Sequence, residues 1–341
     1  MNDTDKILLG HGSGGRMMRE LIEGKLLPAL TGGYARLGAD DSAVLPMPVG
    51  MGGRLAITTD SYVVNPIFFP GGDIGDLAVN GTVNDLAMSG ATPLYITCGL
   101  IVEEGFLISD LMRVIASMRR AADEAGVSIV AGDTKVVDRG KADRLFVNTS
   151  GVGVVPDGID VSSSNLRPGD KIIISGSIGD HGMAVMSVRE GLEFGADLVS
   201  DTAPLNFLVR DILDVCPEVH AMRDPTRGGV TSTLCEFAAS SKVGILLDEK
   251  VLPVKDTVRG ACELLGLDPL YVANEGKLIA VVPPDKADAV LAAMRANRYG
   301  AGSAIIGEVT DGPAGRVMIK TLIGGTRVVD MLTGEQLPRI C

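Results

Sequence analysis

The apolar positions along the first half of the chain alternate between two periods. "RLAITTD" (54–60), "LYITCGLIV" (94–102), "VSIVAGDT" (127–134) and "RLFVNTSGVGVV" (144–155) read as strands, and in "LYITCGLIV" Cys98 alternates with Ile96 and Leu100 as a strand core residue would. Between them lie segments of helical period. "GGRMMRELIEGKLLPAL" (14–30) predicts a helix, and "DIGDLAVNGTVNDLAMSG" (73–90) predicts a second that ends at Gly90, before the turn signal "GATP". "FLISDLMRVIASMRRAADEAG" (106–126) predicts a third, long and amphipathic, closed by Gly126. The pattern then breaks at "PDGIDVSSSNLRPGD" (156–170), rich in Ser, Gly, Pro and Asp, which marks a domain boundary.

Beyond that break the alternation resumes with "KIIISGSIG" (171–179). Helices are expected in "APLNFLVRDILDVC" (203–216), "GGVTSTLCEFAASS" (228–241) and "PDKADAVLAAMRANR" (284–298). Strands are expected in "VGILLD", "KLIAVV", "SAIIGEV" and "RVMIK". A polar, Gly- and Pro-punctuated stretch, "LTGEQLPRIC", follows. The fold class read from this order is α/β of the α+β type: two mixed α/β domains, 1–156 and 157–330, and a flexible tail, 331–341, carrying Cys341. A chain of 341 residues is too long for one ordinary core, which agrees with two domains.

Charge narrows the range of partners. Asp and Glu number 43 against 31 Lys and Arg, for a net charge of −12, which argues against a nucleic-acid backbone or an anionic membrane surface. No stretch reaches the ~18 apolar residues of a membrane-spanning helix, and "MNDTDKILLG" lacks the basic and apolar regions of a signal peptide. The five cysteines are widely and irregularly spaced, with no CxxC pair, as expected of reduced thiols in a cytoplasmic protein. Cys98, Cys216, Cys235 and Cys262 fall on apolar faces and read as core residues, whereas Cys341 belongs to no periodic pattern. His181 and His220 have no evident partner and read as surface residues.

Candidate chemistry gathers in short polar motifs. "GHGSGG" (10–15) places Gly12, Ser13, Gly14 and Gly15 before a helix, a loop whose amides can surround phosphate oxygens. "GADDSAV" contains Asp41, "TTDS" Asp60, "VNDLA" Asn84 and Asp85, and "GDTK" Asp133, Thr134 and Lys135. Carboxylates at strand ends and on one helix make a plausible hard-cation site, although each alone also fits a turn or a helix cap. Asn84 shares the apolar face of Leu77 and needs a partner. "RDPTRGGV" (223–230) sets Asp224 and Arg227 around Pro225 before a glycine pair, and Arg227 can meet a phosphate or a carboxylate. "ANEGK" (273–277) sets Glu275 just before a strand.

In this order, "GADDSAV", "AVNGTVNDLAMSGATP", "AGDTKVV" and "RDPTRGGV" resemble the superfamily of aminoimidazole ribonucleotide synthetase and selenophosphate synthetase. With "GHGSGG" at the start and "PRIC" at the end, the chain resembles its hydrogenase-maturation branch over residues 7–341. The resemblance implies an ATP- and Mg²⁺-dependent carbamoyl dehydratase. Cys341 would carry a carboxamide loaded by a HypF-like carbamoyltransferase, and ATP-dependent dehydration would leave a thiocyanate whose cyano group passes to iron in a HypC–HypD complex. Under it, Mg²⁺ is assigned to Asp41, Asp60, Asp85 and Asp133, and nucleotide to the Gly-rich loop, Asn84, Thr134, Asp224 and Arg227. Catalysis is assigned to Cys341, Glu275 as base and Lys135 as electrostatic partner. It also implies a homodimer formed through the N-terminal halves. The alternatives are another ATP-dependent synthetase or kinase of the superfamily, or a non-catalytic scaffold for maturation proteins.

Overall fold

A computed structural model describes residues 15–21, 43–46, 52–191, 198–332, 334, 337 and 339–341. Two sheets divide it. In the first, strands β1 (Ala43–Pro46), β2 (Arg54–Tyr62), β5 (Thr92–Glu103), β6 (Ser128–Val137) and β7 (Leu145–Val155) lie in the order β1-β2-β7-β5-β6, antiparallel except for the β5–β6 pair. A small hairpin of β3 (Phe68–Phe69) and β4 (Gly72–Asp73) leads into helix α2 (Ile74–Met88), and α3 (Ile108–Ala125) packs beside it. The described part of the first predicted helix is α1, Arg16–Leu21.

Helix α2 is begun by Asp73, whose carboxylate accepts from Gly75 N while Asp76 reaches back to the amide of Asp73, a reciprocal cap for two otherwise unpaired donors. Of its 15 residues 13 are buried, so it has no solvent face. It lies on the first sheet with Leu77, Ala78 and Val83 in a core shared with Ile96, Val114, Met118, Leu145 and Val147, while its last turn, Ala87 and Met88, enters the core of the second half. One helix therefore ties the two halves together.

The second sheet holds β8 (Lys171–Ile174), β9 (Ala221–Arg223), β10 (Gly244–Asp248), β11 (Ile279–Val282), β12 (Ala304–Thr310), β13 (Arg316–Lys320) and β14 (Thr326–Val329), in the order β14-β13-β10-β12-β8-β11-β9. Its helices are α4 (Asp180–Arg189), α5 (Asn206–Val215), α6 (Gly229–Ser241), α7 (Asp256–Leu265) and α8 (Ala287–Ala296). The uninterrupted "IIIS" and "IAVV" runs are explained by cover on both faces. Ile172, Ile174, Ile279 and Val281 meet α6 through Leu234 and Phe237. Ile173, Ala280 and Val282 meet α5 and α8 through Leu208, Ile212 and Val290.

Strand pairing also places the loops. β11 is antiparallel to both β8 and β9, and Ile279 lies opposite Ile174 on one side and Arg223 on the other. The segment after β8, the segment after β9 and the segment before β11 thus emerge at one edge of the sheet. These are "SGSIGD", "DPTRGG" and "ANEGK", three motifs distant in sequence.

Several expectations are corrected here. The strand that ends at "GDT", buried-looking from its sequence, is β6, and it is exposed along nearly its whole length because it is the outer strand of the first sheet in a single chain. Neither His181 nor His220 is at the surface: the first is fully buried and the second is 8% exposed against Asp170, with Nδ1 to Oδ2 at 2.7 Å. The end of the tail, expected to be flexible and to bury little, is docked on the body of the protein. Ile340 is 2% exposed within the core of the first half, and Cys341 packs against the same core. Cys216 and Cys262 are buried as expected, while Cys98 and Cys235 are only partly buried.

Candidate functional site

The site forms where the three loops of the second sheet meet the inner face of the first. Along β2 the inward positions are Ala56, Thr58, Asp60 and Tyr62, alternating with outward Ile57, Thr59 and Ser61. Thr58 donates from Oγ1 to Asp85 Oδ2 at 2.8 Å, which holds the Asp85 carboxylate of α2 beside the strand that carries Asp60. Tyr62, fully buried, lays its hydroxyl on Gly81 of α2, where any side chain would collide with it. Asp60, Asp85 and Glu275 all act electrostatically on that phenol, and together with burial they hold it protonated.

The "DPTRGG" loop turns sharply because Gly228 and Gly229 both adopt left-handed backbone, φ 76° and 62°, a region open to glycine at little cost. The turn starts α6 and leaves Asp224 and Arg227 at the sheet edge. Asn274 stitches this loop to the next one. Its side chain donates to the carbonyls of Pro225 (2.9 Å) and Val272 (3.1 Å) and accepts from Gly179 N (2.7 Å). Glu275 follows, buried, with Oε1 lacking a hydrogen-bond partner, while its amide donates to Asp201 Oδ1. Asp201 in turn pairs with Lys277 at 3.1 Å in a largely buried ion pair.

Cys341 enters this space at the end of a segment that pairs with the chain leaving β2. Val63 N donates to the Cys341 carbonyl and Asn65 N to the Arg339 carbonyl, each at 3.2 Å, so residues 339–341 run antiparallel to the chain leaving β2. Burial pushes the Cys341 thiol up to about 12. Arg227 opposes this, and Glu275, Asp60 and Asp224 reinforce it. The same groups act on one another. Burial, with Asp224, Asp60 and Asp201 nearby, raises Glu275 well above the usual carboxyl range, Arg227 opposing. Burial raises Asp224 to about 6. Docked Cys341 is therefore a protonated thiol beside one guanidinium and a carboxyl whose Oε1 lacks a hydrogen-bond partner.

Cys341, Glu275, Asp224, Arg227, Asp60 and Asp85 are thus brought together. Asn84, expected at the nucleotide, is turned to the protein itself. Its side-chain amide donates to the carbonyls of Ala203 (3.0 Å) and Glu275 (3.1 Å) and accepts from Leu205 N (2.8 Å), so its bonding capacity serves the joint between the two halves. Asp133 and Lys135 pair with each other at 2.6 Å on the exposed β6. Register puts Asp133 in line with Gly99, Asn148 and Ser61, on the outer face of the sheet, away from Asp60. Within one chain neither reaches Cys341, and the cation beside the thiol is Arg227. Thr134 alternates with them and is exposed on the same edge strand. Gly15 accepts from Arg19 N as α1 begins. Gly12, Ser13, Gly14 and Asp41 lie outside the described residues.

Reading the sequence missed Tyr62, Asn274 and His181. Asn274 stands next to Glu275 in sequence, and a buried Asn between two loops has no one-dimensional signal. Among the described residues no three His, Cys, Asp or Glu side chains are already arranged around a metal. Asp60 and Asp85 nonetheless suit Mg²⁺, which takes one or two carboxylates and completes its shell with phosphate oxygens and water.

Models of AIR synthase related proteins match the chain twice, the N-terminal domain over residues 39–155 and the C-terminal domain over 167–320. The carbamoyl dehydratase HypE of Rhizobium leguminosarum bv. viciae is 56% identical over 337 residues, 98% of this chain and 95% of that protein. That of Escherichia coli K12 is 46% identical over 338 residues, 99% of this chain and all of that protein. A crystal structure of the hydrogenase maturation protein HypE in complex with ATP superimposes with a TM-score of 0.83 at 48% identity, covering 98% of this chain and 100% of that one. The structure of a HypE–HypF complex gives 0.85 at 49% identity, covering 92% and 99%. With a docked cysteine facing a buried acid, and with this degree of likeness along its whole length, the chain belongs to the HypE family of carbamoyl dehydratases, within the AIR synthase related proteins.

Proposed function

We propose that this chain converts a carboxamide on Cys341 to a thiocyanate with consumption of ATP, for the iron site of [NiFe]-hydrogenase. The observation that carries the proposal is the docked Cys341, held among Glu275, Asp224 and Arg227 next to the Asp60–Asp85 pair.

The amide oxygen is a poor leaving group, and transfer of the γ-phosphoryl group to it makes a good one. The C–O bond then breaks and the amide nitrogen loses its remaining proton. The products are Cys341–S–C≡N, ADP and phosphate, with the amide oxygen in the phosphate. Glu275 takes that proton as the carboxylate, the form that Arg227 favours and that a cation bound by Asp60 and Asp85 would favour further. Its Oε1 is buried and unpartnered, so a substrate N–H can meet it without displacing a protein bond. Arg227, the guanidinium that opposes the burial of the Cys341 thiol, is our candidate to stabilise the negative charge that develops on the leaving oxygen. Mg²⁺, held by Asp60 and Asp85, would neutralise phosphate charge. Asp41 and the "GHGSGG" loop remain proposed phosphate and metal ligands.

A thiol held near 12 is a weak nucleophile. Loading by a HypF-like enzyme therefore requires that residues 339–341 leave the groove, and dehydration requires that they return. The outer face of the first sheet, with Tyr95 51%, Ile101 43% and Ile57 41% exposed, is the surface through which we propose a homodimer. Asp133 and Lys135 lie on that face. Delivery to a HypC–HypD complex and a cytoplasmic setting complete the reading. No helix among the described residues is long and apolar enough to cross a membrane.

Mass analysis of the peptide containing Cys341 tests the reaction. A carboxamide mass gained on loading and then lost as one water on addition of ATP and Mg²⁺ is expected, with Cys341→Ala showing neither. Modification at Cys98, Cys216, Cys235 or Cys262 instead would remove Cys341 from the role.

A further inference from the structure

Two buried polar atoms beside α2 have no hydrogen-bond partner among the described residues, and they are opposite in kind. One is Glu275 Oε1, an acceptor when the carboxyl is ionised. The other is the hydroxyl of Tyr62, a side chain only 1% exposed. A phenolic O–H left unpaired in an interior costs stability, because the water that would have bonded it is excluded. Its polar neighbours do not use it. Thr82 lies close by, but no hydrogen bond joins it to the phenol. Thr149 gives its proton to Ala78 O at 3.0 Å, so the Thr82–Thr149 contact of 2.6 Å is made with the proton of Thr82. That chain of hydroxyls ends on the helix backbone without Tyr62.

The fold holds both groups against one face of the same helix. Strand β2 turns Thr58, Asp60 and Tyr62 inward in succession, and α2 answers with Asp85 at Thr58 and Gly81 at Tyr62. Asn84, three residues after Gly81, donates to the Glu275 carbonyl at 3.1 Å. Positions three and four apart are neighbours on a helix, so the phenol and residue 275 rest on adjacent turns. Gly81 is what admits the hydroxyl: a Cβ there would lie 2.2 Å from Oη. The carboxylates around the phenol hold it protonated, so what it presents is a neutral donor. A donor and an acceptor one turn apart are the complement of a primary amide, which offers a carbonyl oxygen on one side and N–H on the other.

We infer that Tyr62 is a further catalytic residue of this chain: its hydroxyl donates to the carboxamide oxygen while Glu275 accepts from the amide nitrogen, and the two together select a carboxamide. This rests on the reaction proposed above. As an N–H proton moves toward Glu275, charge shifts onto the amide oxygen, where a fixed donor stabilises it. The second lone pair of that oxygen stays open for the phosphoryl group. When the C–O bond breaks, the phenol remains on the departing oxygen. Tyr62 keeps its own proton throughout, so the balance of the reaction is unchanged.

The test compares the full chain, carrying an isotope-labelled carboxamide on Cys341, with its Tyr62→Phe variant. The melting temperature of the variant should equal or exceed the native one, because the ring is kept and only an unpaired hydroxyl is lost. The labelled carbonyl stretch, isolated by difference infrared spectroscopy, should move to higher frequency as the C=O bond loses a donor. Single-turnover thiocyanate formation should slow on the order of 10²-fold, the scale of one donor on a developing oxyanion. A merely structural hydroxyl would lower the melting temperature and leave the carbonyl band in place. Gly81→Ala is the second probe. Its methyl group displaces the hydroxyl, so it should lower the melting temperature by several degrees and slow the reaction. Adding Tyr62→Phe to it should restore much of the melting temperature but not the rate, because the collision is with the hydroxyl. Native-rate thiocyanate formation by Tyr62→Phe, an unmoved carbonyl band or a clearly lowered melting temperature each overturn the inference and leave the reaction standing. If the native chain itself forms no thiocyanate on Cys341, the reaction falls and the inference falls with it.

Discussion

Replacing Asn84 by Ala distinguishes a ligand from a structural clip. Asn84 is fully buried on α2, and three protein groups from the second half depend on it: the Ala203 and Glu275 carbonyls and the Leu205 amide. Alanine leaves all three without a partner at the joint between the sheets. An unsatisfied buried group costs about 1–3 kcal/mol, and partial rehydration of the space left by the amide offsets some of the sum. The expected loss is about 3–5 kcal/mol, a fall in melting temperature on the order of 5–10 °C. ATP affinity measured well below that melting temperature should stay within about twofold of the native value, because no donor of Asn84 is available to a nucleotide. Dehydration should slow, since the Glu275 carbonyl loses an anchor. Circular dichroism during thermal unfolding and titration calorimetry with ATP check the two halves of this expectation. A variant of native stability with ATP binding weakened tenfold or more would refute it and return Asn84 to the nucleotide site.

Three further outcomes are expected. Glu275→Gln keeps the fold and carbamoyl loading but slows single-turnover thiocyanate formation by ~10²–10⁴-fold. Normal formation would show that another group takes the proton. Asp85→Ala weakens Mg²⁺-dependent ATP binding strongly, because phosphate charge loses a compensating metal ligand and Thr58 loses its acceptor. Unchanged affinity removes Asp85 from the site. Asp224 is held near 6 by burial, above the ordinary 3.8, so between about pH 4 and 6 the folded chain keeps a proton that the unfolded chain has released. This contribution is fully present only below the unfolded value of 3.8 and is lost as pH rises from there through about 6. Asp224→Asn should flatten the decline, as read from denaturant midpoints across that range, and an unaltered slope would assign it to other groups.

Much of the secondary structure was legible because it is local physics. The period-two pattern of β2 and β7 follows from one covered and one open face, and α3 shows a helical stripe for the same reason. Gly126 closes α3 in the left-handed conformation, φ 72°, as its position after the last apolar residue implied. The superfamily was legible from four motifs in order, two of which hold Asp85 and Asp224, while Glu275 and Cys341 stand in the separate stretches "ANEGK" and "PRIC".

What the sequence could not show is which side each residue faces and what lies across from it. Asp60 and Asp133 are both acidic residues in N-terminal strands, and only the register separates them onto opposite faces of one sheet. Asn84 looked like a ligand because a polar residue on a buried helix demands partners. That its partners are the backbone of residues 203, 205 and 275 depends on how the halves meet. His181 and His220 looked like surface residues because the oxygens they bond come from elsewhere in the chain, Ser200, Ile340 and Asp170. The tail reverses most completely. Polar, Gly- and Pro-punctuated composition reports only that a segment has no regular structure of its own. Whether its end is bound depends on a groove assembled from Val63 and Asn65 just after β2, from α4 and from Asp143, and the Arg339 pair with Asp143 spans 196 residues of sequence. Local periodicity cannot encode such a contact, because its free energy resides in surfaces that exist only after both halves have folded.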